Sequence, residues 1–255
     1  MADKFLETYD EVFYSNTDDH FIELLTVLNL KYNKKLISLQ YEPIYGGCYY
    51  NFYNNKNITE CVWNEYTKNI LIEKYQYPKD KVINIGNIRF DKIKKVQQSK
   101  INVVLTTQGK MYPELVDFFI DSVSKVIKSN LNFYIKPHPL EDSSIIESKI
   151  KDSGLKIKLI ENESISKTLS YTSVLLSYSS VTILEAINNG ILPVVINPYK
   201  FKPAGVAYYD HVPYFKTTDE LSVFFNNSTN GLNKIKVSSD LVVGDFNKKK
   251  FDVAL

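Results

Sequence analysis

The chain is poor in cysteine and has no long hydrophobic run, and both features bear on where it works. Cys48 and Cys61 are the only cysteines among 255 residues, which is more typical of reduced thiols in a cytosolic protein than of a disulfide framework. No apolar stretch approaches the roughly 20 residues that span a bilayer. The first residues lack the basic and then apolar segments of a signal peptide. We therefore expect a soluble, cytoplasmic protein.

The chain also lacks an excess of charge of either sign. Its 31 basic and 29 acidic residues leave a formal net charge of +2. A protein that coats nucleic acid needs a strongly basic surface, so we expect no nucleic-acid partner. The sequence contains neither a Cys/His cluster nor an Asp-x-Asp motif, and it therefore predicts no metal site.

Short apolar runs alternate with amphipathic segments from residue 101 onward. The runs that predict strands are INVVLTT, NFYIKPHP, LKIKLI, SVLLSY and LPVVINP. Between them lie helical patterns such as PELVDFFIDSVSKVIKS and SVTILEAINNG. Strands that alternate with helices predict right-handed βαβ units and a parallel sheet. Residues 101–255 are therefore predicted to form one Rossmann-like domain.

Residues 1–92 show the same alternation in a shorter form. EVFYSN, KKLISLQ, TECVWN and KVINIG predict four strands, and DDHFIELLTVLNL and EYTKNILIEKYQY predict helices. Residues 93–100 are mostly polar and charged and predict a linker. The fold class that follows is α/β, with two Rossmann-like halves and parallel sheets, of which the N-terminal half is shortened.

Polar side chains and a glycine follow three of the strands in the second half. They are Thr107, Gln108 and Gly109 after the first strand, Lys136 and His138 after the second, and Ser179 and Ser180 after the fourth. The carboxyl ends of parallel strands meet at one edge of the sheet, where ligands bind in open α/β folds. We therefore expect these residues to lie close together.

These residue types are suited to a phosphate. Ser179 and Ser180 open a predicted helix, whose N-terminus offers free N–H groups and a partial positive charge. His138 stands between Pro137 and Pro139, which hold it in a stiff, extended exit from its strand. Its imidazole could donate to the same anion. The serines could instead be only helix caps, and His138 a surface histidine.

The order of these motifs resembles the nucleotide-binding half of the GT-B glycosyltransferases. KPHP after a strand and then SYSSVTILEAINNGILPVVINP are similar to segments of bacterial sialyltransferases, capsule Kdo transferases and the CDP-glycerol glycerophosphotransferases of teichoic acid synthesis. In these enzymes a His-Pro and a Ser-Ser motif bind the phosphate and ribose of a cytidine nucleotide. YPKDKVINIGNIRFDKI also resembles the family's strand and Gly-Asn-Pro-Arg-Phe-Asp turn, with Ile88 in place of the proline.

The resemblance implies a metal-independent transferase of bacterial surface polysaccharide synthesis, such as that of capsule or lipopolysaccharide. Its substrate would be a nucleotide-activated donor, with a CMP or CDP linkage favoured, and it would need no separate cofactor. A glycan or lipid-linked acceptor is implied, for which peripheral association with the inner membrane would be suitable.

Roles for individual residues follow from the same resemblance. His138 would contact the leaving phosphate and could protonate it, and Ser179 and Ser180 would bind the donor phosphate. Glu185 would accept hydrogen bonds from the ribose or base, although an acid at that place in a helix could also simply suit the helix dipole. The remaining members of the predicted donor site are Thr107, Gln108, Gly109 and Lys136.

The first half departs from the family's pattern. Relatives carry an acidic or histidine base there, often in a His-Gly turn, where this chain has SLQYEPIYGG. Glu42 is the best candidate for the base, although it could be a solvated loop carboxylate. Asp18, Asp19 and His20 are reserve candidates. A shortened domain and a missing N-terminal piece would each explain why the opening βαβ units of a full GT-B domain are absent.

Two other functions stay open. UDP-sugar 2-epimerases resemble this chain in topology, but they carry a Ser-Gly-Gly turn where this chain has Ser-Ser-Val, and that turn favours a transferase. A non-catalytic nucleotide-binding subunit would explain both the short first half and the missing His-Gly turn. Turnover of a labelled donor would distinguish such a subunit from an enzyme.

Overall fold

The computed structural model divides the chain into two compact units. The first comprises Met1–Arg89 and Ser239–Leu255, and the second comprises Phe90–Ser238. The structure describes residues 6–16, 20–40, 58–87, 92–109, 113–128, 130–199, 212–227 and 242–254. Glu42, Asp18 and Asp19 lie outside these described residues, as does the side chain of His20.

A parallel sheet of four strands forms the centre of the first unit. The strands lie side by side in chain order and are β1 (Glu11–Asn16), β2 (Lys35–Gln40), β3 (Thr59–Val62) and β4 (Val82–Asn84). The helical segments are α1 (His20–Tyr32), α2 (Glu65–Asn69), a π-helical turn (Ile70–Lys74), a 3₁₀ turn (Lys79–Lys81) and α8 (Lys248–Ala254). All four strands lie where the sequence predicts them.

Apolar residues are buried on both faces of this sheet. Leu36 and Ile37 are neighbours on β2, yet both are fully buried, as expected of a parallel strand that is covered on two sides. Leu36 packs in a cluster with Val12. Ile37 packs on the opposite face in a cluster that includes Cys61 and Phe251. Because Phe251 belongs to α8, the C-terminal helix covers part of that second face.

The C-terminal segment is attached to the first unit by backbone contacts. The N–H of Asn247 donates to the carbonyl oxygen of Ile85 at 2.7 Å. Gly86 allows the segment to approach, because a Cβ built on it would stand 2.2 Å from the carbonyl oxygen of Asp245. Gly86 also has a φ of +74°, which glycine adopts without strain.

Two stretches differ from the predicted domain boundaries. Residues 239–255 are predicted to belong to the second domain, whereas their contacts group them with the first unit. Residues 93–100 are predicted as a linker, but Val96 N–H donates to the carbonyl of Ser170 at 2.9 Å and Ile93 packs against buried residues of the second unit. This stretch therefore lies on the surface of the second unit.

The second unit is built on a parallel sheet of six strands. Their order is β10-β9-β8-β5-β6-β7. The strands are β5 (Ile101–Thr106), β6 (Leu131–Lys136), β7 (Ile157–Leu159), β8 (Val174–Ser177), β9 (Leu192–Ile196) and the short β10 (Tyr214–Phe215). The helices are α3 (Glu114–Ser124), α4 (Ser143–Ser153), α5 (Ile165–Tyr171), α6 (Thr182–Asn188) and α7 (Thr218–Asn227).

Helices cover both faces of this sheet. On the face that carries α3, α4 and α7, the ring of Phe133 on β6 packs edge-on against Phe119 on α3 and Phe225 on α7, with ring centroids 6.0 and 5.5 Å apart. The other face packs Leu175 on β8 against Leu169 on α5 and Ala186 on α6. The predicted α/β class with parallel sheets in both halves is confirmed, and β10 is an addition that the sequence analysis missed.

None of the helices in the described ranges combines the length and the apolar character that crossing a membrane requires.

Candidate functional site

The second sheet reverses its direction of growth between β5 and β8. After β5 the chain adds β6 and then β7 on one side, and it then returns to add β8, β9 and β10 on the other side. The connections after β5 and β8 therefore leave the sheet in opposite directions. The crevice between such strand ends is where ligands bind in open α/β sheets. Gln108 follows β5 and Ser179 follows β8, so both lie at this crevice.

Gln108 and Ser179 hydrogen-bond across the crevice. The backbone N–H of Ser179 donates to Oε1 of Gln108 at 2.7 Å, and Nε2 of Gln108 donates to Oγ of Ser179 at 3.2 Å. The Ser179 hydroxyl lies 3.5 Å from Oε1 of Gln108, which is the limit of a hydrogen bond. Both side chains are partly exposed. The second amide hydrogen of Gln108 and the hydroxyl of Ser179 can therefore donate to a ligand.

The backbone of His138 is fixed by the neighbouring strand end. Its N–H donates to Oγ1 of Thr107 and to Oε2 of Glu141, each at 2.8 Å. The hydroxyl of Thr107 donates to the same carboxylate oxygen. Thr107 is itself buried. The turn after β6 and the loop after β5 thus form one hydrogen-bonded unit, from which the imidazole projects.

A further contact indicates the tautomer of the neutral His138 ring. The backbone N–H of Leu140 donates to Nδ1 of His138 at 3.2 Å. Nδ1 must be unprotonated to accept this bond, so the neutral imidazole carries its proton on Nε2. Gly109 passes beside the ring with a φ of +86°, and a Cβ built on it would stand 3.8 Å from Nδ1. His138 therefore presents an N–H donor at Nε2.

The hydroxyl of Ser180 contacts the backbone at the start of α6. Its Oγ accepts the backbone N–H of Thr182 at 3.2 Å, in the manner of a serine at a helix start. The helix that follows, α6, has seven residues. Besides this contact, the side chains of Gln108, Ser179 and His138 offer hydrogen-bond donors at the same edge of the sheet.

Lys136 reaches the same edge of the sheet, but its ammonium is directed to the next loop. Its Nζ donates to the backbone carbonyl of Glu163, in the connection between β7 and α5. Burial lowers the pKa of Lys136, and the charge of Glu163 acts in the opposite direction. A contact of this kind secures the loop after β7.

Of the two acidic residues of the predicted site, the structure describes Glu185 but not Glu42. Glu185 lies on α6, one turn beyond Thr182, and is partly buried. Glu42 lies outside the described residues. Glu141, by contrast, was not singled out from the sequence, although it holds both Thr107 and the backbone of His138. The only signal for it is an acid three residues after the histidine in KPHPLED.

A buried carboxyl group lies in the first unit, where the sequence analysis named no residue. Glu60 is 2% exposed on β3, between Ser38 on β2 and Val82 on β4. Burial raises the pKa of Glu60 to about 7, while hydrogen bonds with Ser38 and Tyr77 act to lower it. Nothing in the TECVWN run marks this position as buried, because parallel strands lack a visible alternation of polar and apolar residues.

Comparisons with known proteins give one relative among curated sequences. It is an uncharacterized protein of Methanocaldococcus jannaschii, MJ1060, which is 35% identical over 142 residues, or 52% of this chain and 26% of that protein. The chain thus spans about a quarter of the length of this relative. No protein-family model matches the chain.

Solved structures share the fold at low sequence identity. A UDP-GlcNAc 2-epimerase from Neisseria meningitidis, bound to UDP-GlcNAc, aligns with a TM-score of 0.65 at 16% identity, over 98% of this chain and 78% of that one. The lipopolysaccharide outer core galactosyltransferase WaaB aligns with a TM-score of 0.57 at 13% identity, over 99% and 77%. The wall teichoic acid polymerase TagF, soaked with CDPG, aligns with a TM-score of 0.52 at 10% identity, over 95% and 66%.

At these identities the likeness concerns the fold alone. The three structures belong to GT-B-fold transferases and epimerases, and each aligns over nearly the whole of this chain. The chain therefore has the GT-B-like fold that the sequence predicts.

Proposed function

We propose that the protein is a glycosyltransferase, or a glycerophosphotransferase, of surface polysaccharide synthesis that uses a nucleotide-activated donor. The donor phosphate would lie at the crevice between β5 and β8, against Gln108, Ser179 and the Nε2–H of His138. One observation carries this proposal: loops from the three adjacent strands β8, β5 and β6 are hydrogen-bonded to one another at a single edge of the sheet. Each brings at least one uncharged donor to that edge.

Transfer requires that negative charge be stabilised as it forms. When an acceptor hydroxyl attacks the anomeric carbon, or the phosphorus of a glycerophosphate donor, the bond to the leaving phosphate breaks and its electron pair stays on the phosphate oxygen. Donors that are already in position stabilise this charge more in the transition state than in the ground state. Gln108 and Ser179 are held by each other, so neither must be ordered when the charge appears.

The contact between Leu140 N–H and Nδ1 of His138 suits a ring that donates a hydrogen bond from Nε2 better than one that transfers a proton. To protonate the leaving oxygen, the imidazole would have to be doubly protonated, and its Nδ1 could then no longer accept the N–H of Leu140. A neutral imidazole that donates from Nε2 keeps that contact. His138 is accordingly proposed to stabilise the leaving phosphate as a hydrogen-bond donor, which narrows the role that the sequence resemblance implies.

The donor's base is part of the proposal and is open to test. The resemblance of the His-Pro and Ser-Ser motifs favours cytidine. The fold does not distinguish uridine from cytidine by itself, because one of the matching structures is named as a complex with UDP-GlcNAc and another as soaked with CDPG. Glu185 on α6 is proposed to contact the ribose or base.

The proposed reaction uses no metal ion, and its base is Glu42, which lies outside the described residues. Within the described ranges no group of three His, Cys, Asp or Glu side chains is placed to hold a metal. A glycan or lipid-linked acceptor, a cytoplasmic location and peripheral association with the membrane remain predictions from the sequence.

A ligand panel tests the donor site. Thermal unfolding would be measured with CMP, CDP, UDP and GDP for the wild type, His138→Ala and Ser179→Ala. A nucleotide at a hundred times its dissociation constant stabilises the fold by about 2.7 kcal/mol, and we expect this shift in melting temperature to shrink in both variants. Ser148→Ala, an exposed serine of α4, is the matched control and should keep the full shift.

The outcomes separate the candidate functions. Stabilisation by a nucleotide followed by turnover of labelled donor only when an acceptor is present supports a transferase. Conversion of UDP-GlcNAc without any acceptor would favour the epimerase, and binding without turnover would favour a non-catalytic subunit. If no nucleotide changes the melting temperature of the wild type, the donor-site proposal is wrong and Ser180 is only a cap.

A further inference from the structure

A pocket of about 390 Å³ opens beside the candidate phosphate site in the second unit. That volume lies within the range of small-ligand sites in proteins, which starts at about 300 Å³. Its walls are largely apolar and are formed by Val116 on α3 and by Ile145 and Ile146 on α4. Gly109 closes one side without a side chain, and a Cβ there would stand 3.8 Å from Nδ1 of His138. The pocket therefore begins next to the imidazole.

One polar group of the pocket has unused capacity to accept hydrogen bonds. Glu141 lines the pocket, and its Oε2 accepts from Thr107 and from the backbone of His138. Within the part of the chain that the structure describes, no hydrogen bond is made to Oε1 of Glu141. Because Oε2 accepts two hydrogen bonds, the group acts here as an acceptor, so it would receive N–H or O–H groups of a ligand.

The charges around the pocket disfavour an anion. Among the residues that the structure describes, two carboxylates, Glu141 and Asp142, line it together with one ammonium, that of Lys149. Nζ of Lys149 is already paired with Oδ2 of Asp117 at 2.7 Å. A ligand carboxylate or phosphate would therefore meet an excess of negative charge and no unpaired cation among these residues. A neutral ring with an apolar face and several hydroxyl groups fits both the walls and Glu141.

We propose that this pocket binds the uncharged glycosyl ring of the donor whose phosphate lies at Gln108, Ser179 and His138. The ring's carbon face would pack on Val116, Ile145 and Ile146, and a hydroxyl would donate to Oε1 of Glu141. The proposal rests on the proposed function for its phosphate. It adds that the donor sugar is a neutral hexose-type sugar rather than one that carries a carboxylate.

Calorimetric titration of matched ligands tests this assignment. UDP-glucose and UDP-glucuronate differ by one carboxylate in place of a hydroxymethyl group. UDP lacks the sugar and carries one more ionisable phosphate oxygen, and CDP and CDP-glucose repeat this comparison on the other base. We expect glucose to raise affinity over the free nucleotide by roughly tenfold or more. The glucuronate conjugate should lose most of that gain, because its charge would be buried without a partner. A glucuronate conjugate that binds as tightly as the glucose conjugate would overturn the neutral-sugar assignment.

Two substitutions by tryptophan test whether the gain in affinity from glucose arises in this pocket. Ile145 is 58% exposed on α4 and lines the pocket, while Val223 is 56% exposed on α7 and does not line it. Ile145→Trp should fill the pocket and abolish the gain from glucose while leaving the affinity for the free nucleotide unchanged, whereas Val223→Trp should alter neither. If Ile145→Trp weakens the free nucleotide equally, the pocket holds the nucleotide and the proposal is wrong. If the gain survives in Ile145→Trp, the sugar binds elsewhere.

A third arm separates this proposal from the proposed function. Saturation-transfer NMR with methyl glucoside requires no nucleotide, and we expect a signal in the wild type and Val223→Trp that is lost in Ile145→Trp. If no nucleotide binds but this pattern appears, the donor-site proposal fails and the sugar pocket stands. If the glucoside gives no signal and no conjugate shows a gain, the sugar pocket is refuted.

Discussion

Replacing Glu60 by glutamine should stabilise the first unit at neutral and alkaline pH. The carboxyl group is 2% exposed on the central strand β3, and the hydroxyl of Tyr77 donates to its Oε1 at a long 3.5 Å. Desolvation is therefore the dominant influence, and it raises the pKa of Glu60 from 4.5 to about 7. The folded chain binds this proton more tightly than the unfolded chain does.

The sign and size of the effect follow from that difference. Below pH 4.5 both states are protonated and Glu60 contributes its full stability. Between pH 4.5 and about 7 the unfolded state loses the proton while the folded state keeps it, so the free energy of unfolding falls as pH rises. Each pKa unit is worth about 1.4 kcal/mol, so the wild type should lose about 3 kcal/mol over this window.

Glutamine has nearly the same shape and stays neutral at every pH. We therefore expect Glu60→Gln to match the wild type near pH 4.5 and to exceed its free energy of unfolding by about 3 kcal/mol at pH 8. Urea unfolding followed by the fluorescence of Trp63 measures this directly, because Trp63 is the sole tryptophan and is 4% exposed beside β3 in the first unit.

Glu73→Gln serves as the control for a change of charge alone, since Glu73 is an exposed glutamate of the same unit. It should leave the pH dependence of unfolding as in the wild type. A difference between wild type and Glu60→Gln that stays constant from pH 4.5 to 8 would refute the reasoning, because it would mean that Glu60 ionises in the folded state as readily as in water.

Two further substitutions test other contacts. Gly86→Ala should lower the free energy of unfolding by roughly 1–3 kcal/mol in the Trp63 assay, because Gly86 has a φ of +74° and the added Cβ would stand 2.2 Å from the carbonyl oxygen of Asp245. The control Gly244→Ala should cost little, because its Cβ would have no atom within 4 Å. Equal effects of the two substitutions would show that the C-terminal segment does not press on Gly86. Lys136→Met should leave nucleotide affinity unchanged in calorimetry, because the ammonium is bound to the carbonyl of Glu163, and a large loss of affinity would assign Lys136 to the donor site.

The sequence predicts the strands well because each is a short apolar run that ends at a polar residue or a turn. That regularity also predicts that Gln108, His138 and Ser179 reach one edge of a sheet, because the carboxyl ends of parallel strands always do. The prediction needs only the order of strands and helices, and not their packing.

Contacts that depend on turn geometry are not predictable in this way. The bond from Leu140 N–H to Nδ1 of His138 spans two residues, and the bond from His138 N–H to Glu141 spans three, yet each requires one backbone conformation out of several that KPHPLE could adopt. The packing of the C-terminal segment against the first unit is equally unpredictable from the sequence. Its only signal is Gly86, which the family resemblance assigns to a turn.

Hydrogen bonds within the chain hold the residues of the candidate phosphate site in place, which bears on how donors would be distinguished. The backbone of His138 is held by Thr107 and Glu141, and its ring by Leu140, while Gln108 and Ser179 hold each other. Binding a phosphate there costs little ordering, and every nucleotide offers the same phosphate. Discrimination between donors must therefore come from groups beyond the phosphate, which are the base and the ring that would enter the pocket beside Gly109. The neutral-sugar pocket, more than the phosphate donors, would set which donor the protein accepts.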